Sequence, residues 1–158
     1  MKHVIIGAGP AGIIAAETLR RADPRSTVTV VGDEPEPPYS RMAIPYLLTG
    51  SIGEAGTHLR HGTDHFTKLA VDIRRDRVTG VHVGDRRVVL AGGGHLDYDR
   101  LLIASGSHAV RPPIAGMDLP GVENCWTLAD ARRVAEGARA DRKTTRLNSS
   151  HSSVSRMP

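Results

Sequence analysis

Residues 1–34 read MKHVIIGAGPAGIIAAETLRRADPRSTVTVVGDE. An apolar run, His3 to Ile6, enters Gly7, Gly9 and Gly12 in the spacing G-x-G-x-x-G; a helical stretch, a β-rich run from Thr27 to Val31 and two acids, Asp33 and Glu34, follow. Each part has a physical task in holding a dinucleotide. Gly7 lets the chain turn sharply out of the strand. Gly9 lacks a Cβ, so backbone can approach a pyrophosphate. Gly12 lets the helix pack close to the sheet. The free N–H groups of the first helical turn, backed by the positive end of the helix dipole, then face the phosphates. An acid about 20 residues past the last glycine stands where a carboxylate can accept from ribose hydroxyls. Strand, glycines, helix, strand and acid in this order define one βαβ unit for dinucleotide binding.

Outward from this unit, Ile13, Ile14, Ala16 and Leu19 recur at roughly helical spacing, and Asp23-Pro24 ends the helix. Pro35-Glu36-Pro37-Pro38 is an irregular loop. Tyr39 to Leu48 reads as a short helix broken by Pro45, and residues 57–69 as a second helix interrupted at Gly62. From Val71 to Leu90 the pattern turns to β in VDI, RVTGVHV and RRVVL, separated by Asp, Gly and Arg turns. Asp97 to Gly106, DYDRLLIASG, reads as a buried strand ending in small residues. The fold class expected is α/β: a Rossmann-like domain with a parallel sheet, helices and a small β-hairpin layer.

Composition narrows the function classes. The 158 residues suit one domain with a real core. The glycine loop interrupts the N-terminal apolar run too early for a signal peptide, and no stretch approaches the ~20 apolar residues of a membrane span; a soluble, cytoplasmic protein is expected. One cysteine, Cys125, excludes an internal disulfide framework, a Cys-x-x-Cys pair and a cysteine-based zinc site. Of the formal charge of +4, residues 141–158 carry +3 (Arg142, Lys143, Arg146 and Arg156 against Asp141), which leaves the body nearly neutral. Aromatic platforms for stacking bases are nearly absent, so nucleic-acid binding is not expected.

Several residues have plain structural readings. His58, His61 and His65 could share a helical face, but Gly62 weakens that helix and no acid nearby completes a metal site. Cys125 beside Trp126 reads as a packed or half-exposed thiol without a base near in sequence. Arg74, Arg75 and Arg77 read as a solvated strand edge. Arg41 could be a surface charge, and Asp33 and Glu34 a solvated turn.

Tyr98-Asp99-Arg100-Leu101-Leu102-Ile103-Ala104-Ser105-Gly106 resembles the second flavin-binding motif of the two-dinucleotide-binding-domain flavoproteins, with Ser105 in place of the threonine of Ala-Thr-Gly. Pro38-Tyr39-Ser40-Arg41 resembles the Pro-Tyr-x-Arg of ferredoxin reductases and of the flavin-containing part of NADH-dependent nitrite reductases. Asp72 to Val81 with Arg86 to Leu90 resembles the hairpin region that precedes the second motif, and Thr127 to Ala131 the segment leading to a second, NAD(P)H-binding domain. The resemblance covers about residues 1 to 138.

It implies FAD as cofactor, with NAD(P)H expected in the full-length protein. Gly7, Gly9, Pro10, Ala11 and Gly12 would wrap the FAD pyrophosphate. Asp33 or Glu34 would take the adenosine ribose; the family's acid often sits directly at the strand's end, where this chain has Gly32. Arg41 would lie over the pyrophosphate or flavin, its fork of donors suiting phosphate oxygens. Val78 would offer backbone to the adenine, and Ala104, Ser105 and Gly106 would pass close to the cofactor. No catalytic side chain and no metal ligand is assigned. Tyr46 stands about where ferredoxin reductases carry a lysine. Disulfide reductases need a redox cysteine pair, and NADH peroxidases a single cysteine near Ser40 to Ile44; SRMAI has neither.

The implied activity is NAD(P)H oxidation with electrons passed through FAD to an acceptor protein, ferredoxin-like or nitrite reductase-like, or to a small acceptor. A flavin monooxygenase or oxidase, an NAD-dependent dehydrogenase and a non-catalytic FAD-binding fragment stay open as alternatives. No second glycine loop follows residue 106, and in the family the FAD domain is completed by chain that returns after the NAD(P)H domain. The expected organisation is an incomplete FAD-binding domain over 1–140 and a tail over 141–158. That tail, serine-rich and basic, is either disordered or an artefact resembling translated adapter read-through.

Overall fold

A computed structural model describes residues 1–62 and 64–140; the expected tail lies outside the described residues. The strands are β1 (Lys2–Ile6), β2 (Thr27–Gly32), β3 (Val71–Arg75), β4 (Val78–His82), β5 (Arg87–Leu90), β6 (His95–Asp97) and β7 (Arg100–Ile103). The α-helices are α1 (Pro10–Ala22), α2 (Ile44–Leu48), α3 (His65–Lys68) and α4 (Leu128–Ala140). β1, β2, β3 and β7 form a parallel four-stranded sheet in the order β3-β2-β1-β7, with Ile5 beside Val30 on one flank and Leu102 on the other. β4, β5 and β6 form a separate antiparallel sheet.

Side-chain alternation along the parallel strands divides the core into two faces. Ile5, Val28, Val30 and Val71 meet Ile13 and Ala16 of α1 on one face. Val4 and Val31 point to the other and meet Val88, Leu90 and Tyr98 of the antiparallel layer. Each fully buried aliphatic side chain contributes roughly 1.5–3 kcal/mol of transfer free energy, so these two faces fix how helix and hairpin layer sit on the sheet. A third, smaller cluster of Tyr39, Ile44, Leu128 and Ala131 fastens α4 to α2.

α1 forms because Pro10 occupies its first turn, where the missing N–H costs nothing, and small and aliphatic residues follow. It stops at Asp23, whose N–H still reaches the Leu19 carbonyl (2.7 Å), before Pro24. Arg20 in the last turn donates to the carbonyls of Leu69 (2.8 Å), Pro24 (3.1 Å) and Ser26 (2.5 Å), tying the helix end to neighbouring chain.

Several local expectations are revised. Pro45 does not break a helix; it sits in the first turn of α2, and the residues before it, Arg41–Ala43, form a single 3-10 turn. Residues 57–69 are not one helix: a 3-10 turn covers Glu54–Thr57, His58 bridges to Tyr39, and only His65–Lys68 is α-helical. His58 therefore shares no helical face with His65. VDI does not belong to the hairpin region but forms β3, the edge of the parallel sheet, with Arg74 and Arg75 at its end; β6 was not anticipated. Within DYDRLLIASG, Asp97 ends β6, and only Arg100–Ile103 joins the parallel sheet, as an edge with Leu102 41% and Ile103 65% exposed. Beside it, Ile5, Ala11, Ile14, Ala15, Leu19 and Leu102 line an apolar groove of about 540 Å³. Cys125 is exposed rather than packed.

One buried charge was not legible. Glu17, on the inner side of α1, is 8% exposed. Its carboxylate accepts from Arg60 Nε (2.7 Å) and Nη2 (2.5 Å) and is 2.9 Å from His65 Nε2. The Arg60 fork holds the carboxyl below the usual carboxylate range, against the opposing effect of burial, with His65 adding to the lowering. Because the folded-state value is depressed, this contribution is complete above pH 4.5 and is lost as pH falls through the folded value. Glu17→Gln is therefore expected to cost about 1–3 kcal/mol at pH 7 and to flatten the fall in denaturant-midpoint stability seen between pH 6 and pH 3.

The glycines make a second expectation. A Cβ on Gly12 would stand 1.9 Å from the Gly7 carbonyl oxygen, whereas one on Gly9 meets nothing within 4 Å. Gly12→Ala should cost about 3 kcal/mol through forced overpacking. Gly9 is the N-cap of α1 with φ −77°, so Gly9→Asn should leave stability within about 0.5 kcal/mol. Thermal unfolding of the two variants separates the roles.

Candidate functional site

The order β3-β2-β1-β7 places β1 between connections that run to opposite sides. In such sheets the crevice outside the carboxyl ends of the strands, at the point where the order reverses, is the natural place for a ligand. Here that point lies between the Gly7–Gly12 turn after β1 and Ala104–Gly106 after β7.

Contacts at the crevice are made by backbone. Gly7 has φ +113°, donates to the Val31 carbonyl (2.8 Å), and approaches β7 so closely that a Cβ would be 2.2 Å from the Ala104 oxygen. Ala104 N–H in turn donates to Ile6 (2.7 Å). Gly32 explains the missing strand-end acid: a Cβ there would fall 2.8 Å from the Ala8 Cβ, so the turn packs where a side chain would begin. Pro10 and Ala11 are exposed at the start of α1. The first intrahelical bond runs from Ile13 N–H to the Gly9 carbonyl (3.0 Å), which leaves the Ala11 and Gly12 N–H groups at the helix's positive end, with no acid in the first turn and no side-chain cap.

Arg41 crosses to this crevice from the 3-10 turn. Its Nη1 lies 3.7 Å from the Cβ position of Gly106, which has φ +71°. Its Nη2 donates to Glu34 Oε1 (2.5 Å), its guanidinium carbon lies 5.4 Å from the centre of the Trp126 ring, and its Nε is buried without an acceptor among the described residues. Both oxygens of Glu34 accept, the other one from Tyr39 Oη. Tyr39, buried, accepts in turn from Leu128 N–H (3.3 Å). Burial, and then the Glu34 carboxylate, push the Tyr39 phenol up to about 12, so it stays protonated. Asp33 is exposed, and among the described residues no hydrogen bond holds its side chain.

The start of α4 is built to hold this arrangement. Asp130 accepts from the N–H groups of Trp126 (3.0 Å) and Thr127 (2.8 Å), while Thr127 Oγ1 accepts from Asp130 N–H (3.1 Å), a reciprocal cap. Burial raises the Asp130 carboxyl, but these donors and Arg133 outweigh it and the net shift is downward. Arg132 grips Glu54 with Nε (3.0 Å) and Nη2 (2.6 Å) and reaches Glu36 with Nη1 (2.7 Å). That clamp ties α4 to the proline loop and lowers the Glu54 carboxyl.

Of the residues singled out in the sequence, Gly7, Gly9, Pro10, Ala11, Gly12, Ala104, Ser105, Gly106 and Arg41 thus converge on one crevice. Glu34 bonds to Arg41. Val78 opens β4 and packs against the cluster that contains Val4 and Val31. Trp126, Thr127 and Asp130 were missed as parts of the site. Thr-x-x-Asp spacing signalled the cap, but nothing in the sequence paired residue 126 with residue 41.

Residues 1–148 match the family model described as pyridine nucleotide-disulphide oxidoreductase. Over 146 residues the chain is 29% identical to an NADH oxidase of Methanocaldococcus jannaschii, covering 85% of this chain and 31% of that protein. Over 133 residues it is 33% identical to the biphenyl dioxygenase system ferredoxin–NAD(+) reductase component of Paraburkholderia xenovorans, covering 84% and 32%. The fold superposes on the ferredoxin reductase of the CYP199A2 system from Rhodopseudomonas palustris with a TM-score of 0.80 and 26% identity, over 88% of this chain and 34% of that one. The chain spans about a third of the length of the curated relatives it matches. With its glycine turn packed against the end of β7 and a family match over nearly its whole length, the chain belongs to the pyridine nucleotide-disulphide oxidoreductase family.

Proposed function

We propose that this chain supplies the FAD-binding part, residues 1–140, of an NAD(P)H-dependent flavoprotein oxidoreductase. The observation that carries this reading is the convergence of the glycine turn, the Ala104–Gly106 segment and Arg41 on one crevice. The donor set suits a diphosphate: two helix N–H groups at the positive end of α1, and a guanidinium with Nε lacking an acceptor. The open approach at Gly9 suits close passage of a phosphate, which a side chain there would obstruct.

In this reading Gly7, Gly9, Pro10, Ala11 and Gly12 hold the FAD diphosphate, with Arg41 neutralising its charge. Ala104, Ser105 and Gly106 form the far wall, and the Ser105 hydroxyl is available to the cofactor. A carboxylate at the end of β2 takes the adenosine ribose. Val78 is assigned to the adenine by resemblance alone. When bound, FAD accepts hydride from a reduced nicotinamide and releases electrons one or two at a time. The protein's part is to hold it, exclude competing chemistry and tune its potential. The NAD(P)H site belongs to the longer protein, as do the acceptor's contacts. Two relatives' names, a ferredoxin–NAD(+) reductase component and a ferredoxin reductase, favour a small iron–sulfur protein as acceptor. The apolar groove beside β7 suits chain from the same longer protein, returning to complete the sheet. Among the described residues no helix is long and apolar enough to cross a membrane.

The direct test incubates the purified chain with FAD, desalts it and records the visible spectrum. Retained flavin bands are expected, with Gly9→Asn weakening FAD by at least about tenfold while circular dichroism stays unchanged. A folded wild-type chain that releases all its flavin would overturn the assignment.

A further inference from the structure

Arg41 is held from two sides, by the Glu34 carboxylate and the Trp126 ring, and each of these groups is itself fixed by further bonds. Glu34 Oε1 accepts from Nη2 at 2.5 Å, and Glu34 Oε2 is occupied by the Tyr39 hydroxyl. Tyr39 is itself fixed, 6% exposed and bonded to the Leu128 N–H at the start of α4. Trp126 lies against the guanidinium face at 5.4 Å. Its ring is anchored by Nε1 donating to the Ser107 carbonyl (3.0 Å) and its backbone by N–H donating to Asp130 Oδ2 (3.0 Å). The cap of α4 therefore anchors both the carboxylate side of the clamp, through Leu128 and Tyr39, and the aromatic side, through Trp126. Of the rest of the guanidinium, Nε has no acceptor among the described residues and Nη1 faces the Gly106 end of the crevice.

An arginine on a surface loop samples many rotamers, and fixing one on ligand binding costs affinity. Here Glu34 and Trp126 by themselves hold one arrangement of the side chain. The same geometry divides labour between the two acids after β2. Glu34 is oriented by a donor on each oxygen, whereas Asp33 is exposed and is the acid more open to a ribose hydroxyl.

We infer that Glu34, Tyr39 and Trp126 form a brace that presents Arg41 to the dinucleotide's diphosphate, making Glu34 and Trp126 positioning residues and leaving Asp33 as the ribose acceptor. This rests on the FAD reading above. Arg41 touches the cofactor; Glu34 and Trp126 act through it. Trp126 serves by its ring face, as a flat weakly polar wall for the guanidinium.

Trp126 is the chain's sole tryptophan, so its emission reports the brace without any cofactor. In the cofactor-free full chain, Arg41→Met and Glu34→Gln should each shift that emission; unchanged emission in both variants overturns the brace. FAD titrations followed by quenching of the same emission then test its purpose. Glu34→Gln should weaken FAD about tenfold when Arg41 is present and by less than about twofold in the Arg41→Met background, since an effect routed through Arg41 disappears with it. Asp33→Asn, at an exposed position that does not threaten folding, should weaken FAD to the same degree in both backgrounds. Trp126→Phe, followed by flavin absorbance, should keep most of the affinity that Trp126→Ala loses. Equal losses from Glu34→Gln in both backgrounds, or no loss from Asp33→Asn, overturn the division of roles. A folded wild-type chain that binds no FAD overturns the FAD reading and the purpose given to Arg41, while the emission shifts still decide whether the brace exists.

Discussion

The structure turns on a backbone contact with no room for a side chain, the approach of Gly7 to the carbonyl of Ala104 where β1 and β7 leave the sheet. Three glycines serve this one junction. Gly7 adopts a backbone conformation that L side chains rarely reach and packs on β7, Gly12 lets α1 lie on the turn, and Gly32 makes room for Ala8. With the turn pressed between β2 and β7, the start of α1 points into the crevice between them. A Cβ at Gly7, Gly12 or Gly32 would push helix and sheet apart. Gly9, in the same motif, meets no such neighbour, and its smallness serves the crevice rather than the packing.

A second layer of organisation is electrostatic and comes from far along the chain. Arg132 of α4 bridges Glu36 and Glu54, and the cap at Thr127 and Asp130 fixes Trp126 against Arg41. Exposed ion pairs contribute little to stability one at a time. Their value here is geometric: a helix that contributes no strand or side chain to the core sheet is registered against the loop carrying Glu34, Tyr39 and Arg41. Glu17, Arg60 and His65 do the same for α1, where a buried carboxylate with an arginine fork locks the helix to the chain before β3.

What could be read directly was whatever depends on short-range pattern. The βαβ unit was legible because a strand, a glycine turn and a helix follow one another within about thirty residues, each with its own period and punctuation. Misreadings fell where local signals are ambiguous. Pro45 reads equally as a breaker or a first-turn residue, and only the turn before it decides. Residues 57–69 read as one helix interrupted at Gly62, whereas His58 bridges to Tyr39 and His65 lies in the short α3. Leu101, Leu102 and Ile103 read as a buried strand because an edge strand and a central one share the same composition; exposure depends on what lies beside β7.

The sequence by itself determined the class of fold and the glycine turn, because steric demands on backbone and the repeat of apolar residues act over a few positions. Tertiary structure alone decided which acid is free and which is committed, that Trp126 lies on Arg41, that Glu17 pairs with Arg60, and that β3 joins the parallel sheet rather than the hairpin layer. The Trp126–Arg41, Glu17–Arg60 and β2–β3 contacts link residues 43 to 85 positions apart. No local preference encodes them; they follow only when the sheet, the helices and the loops are packed together.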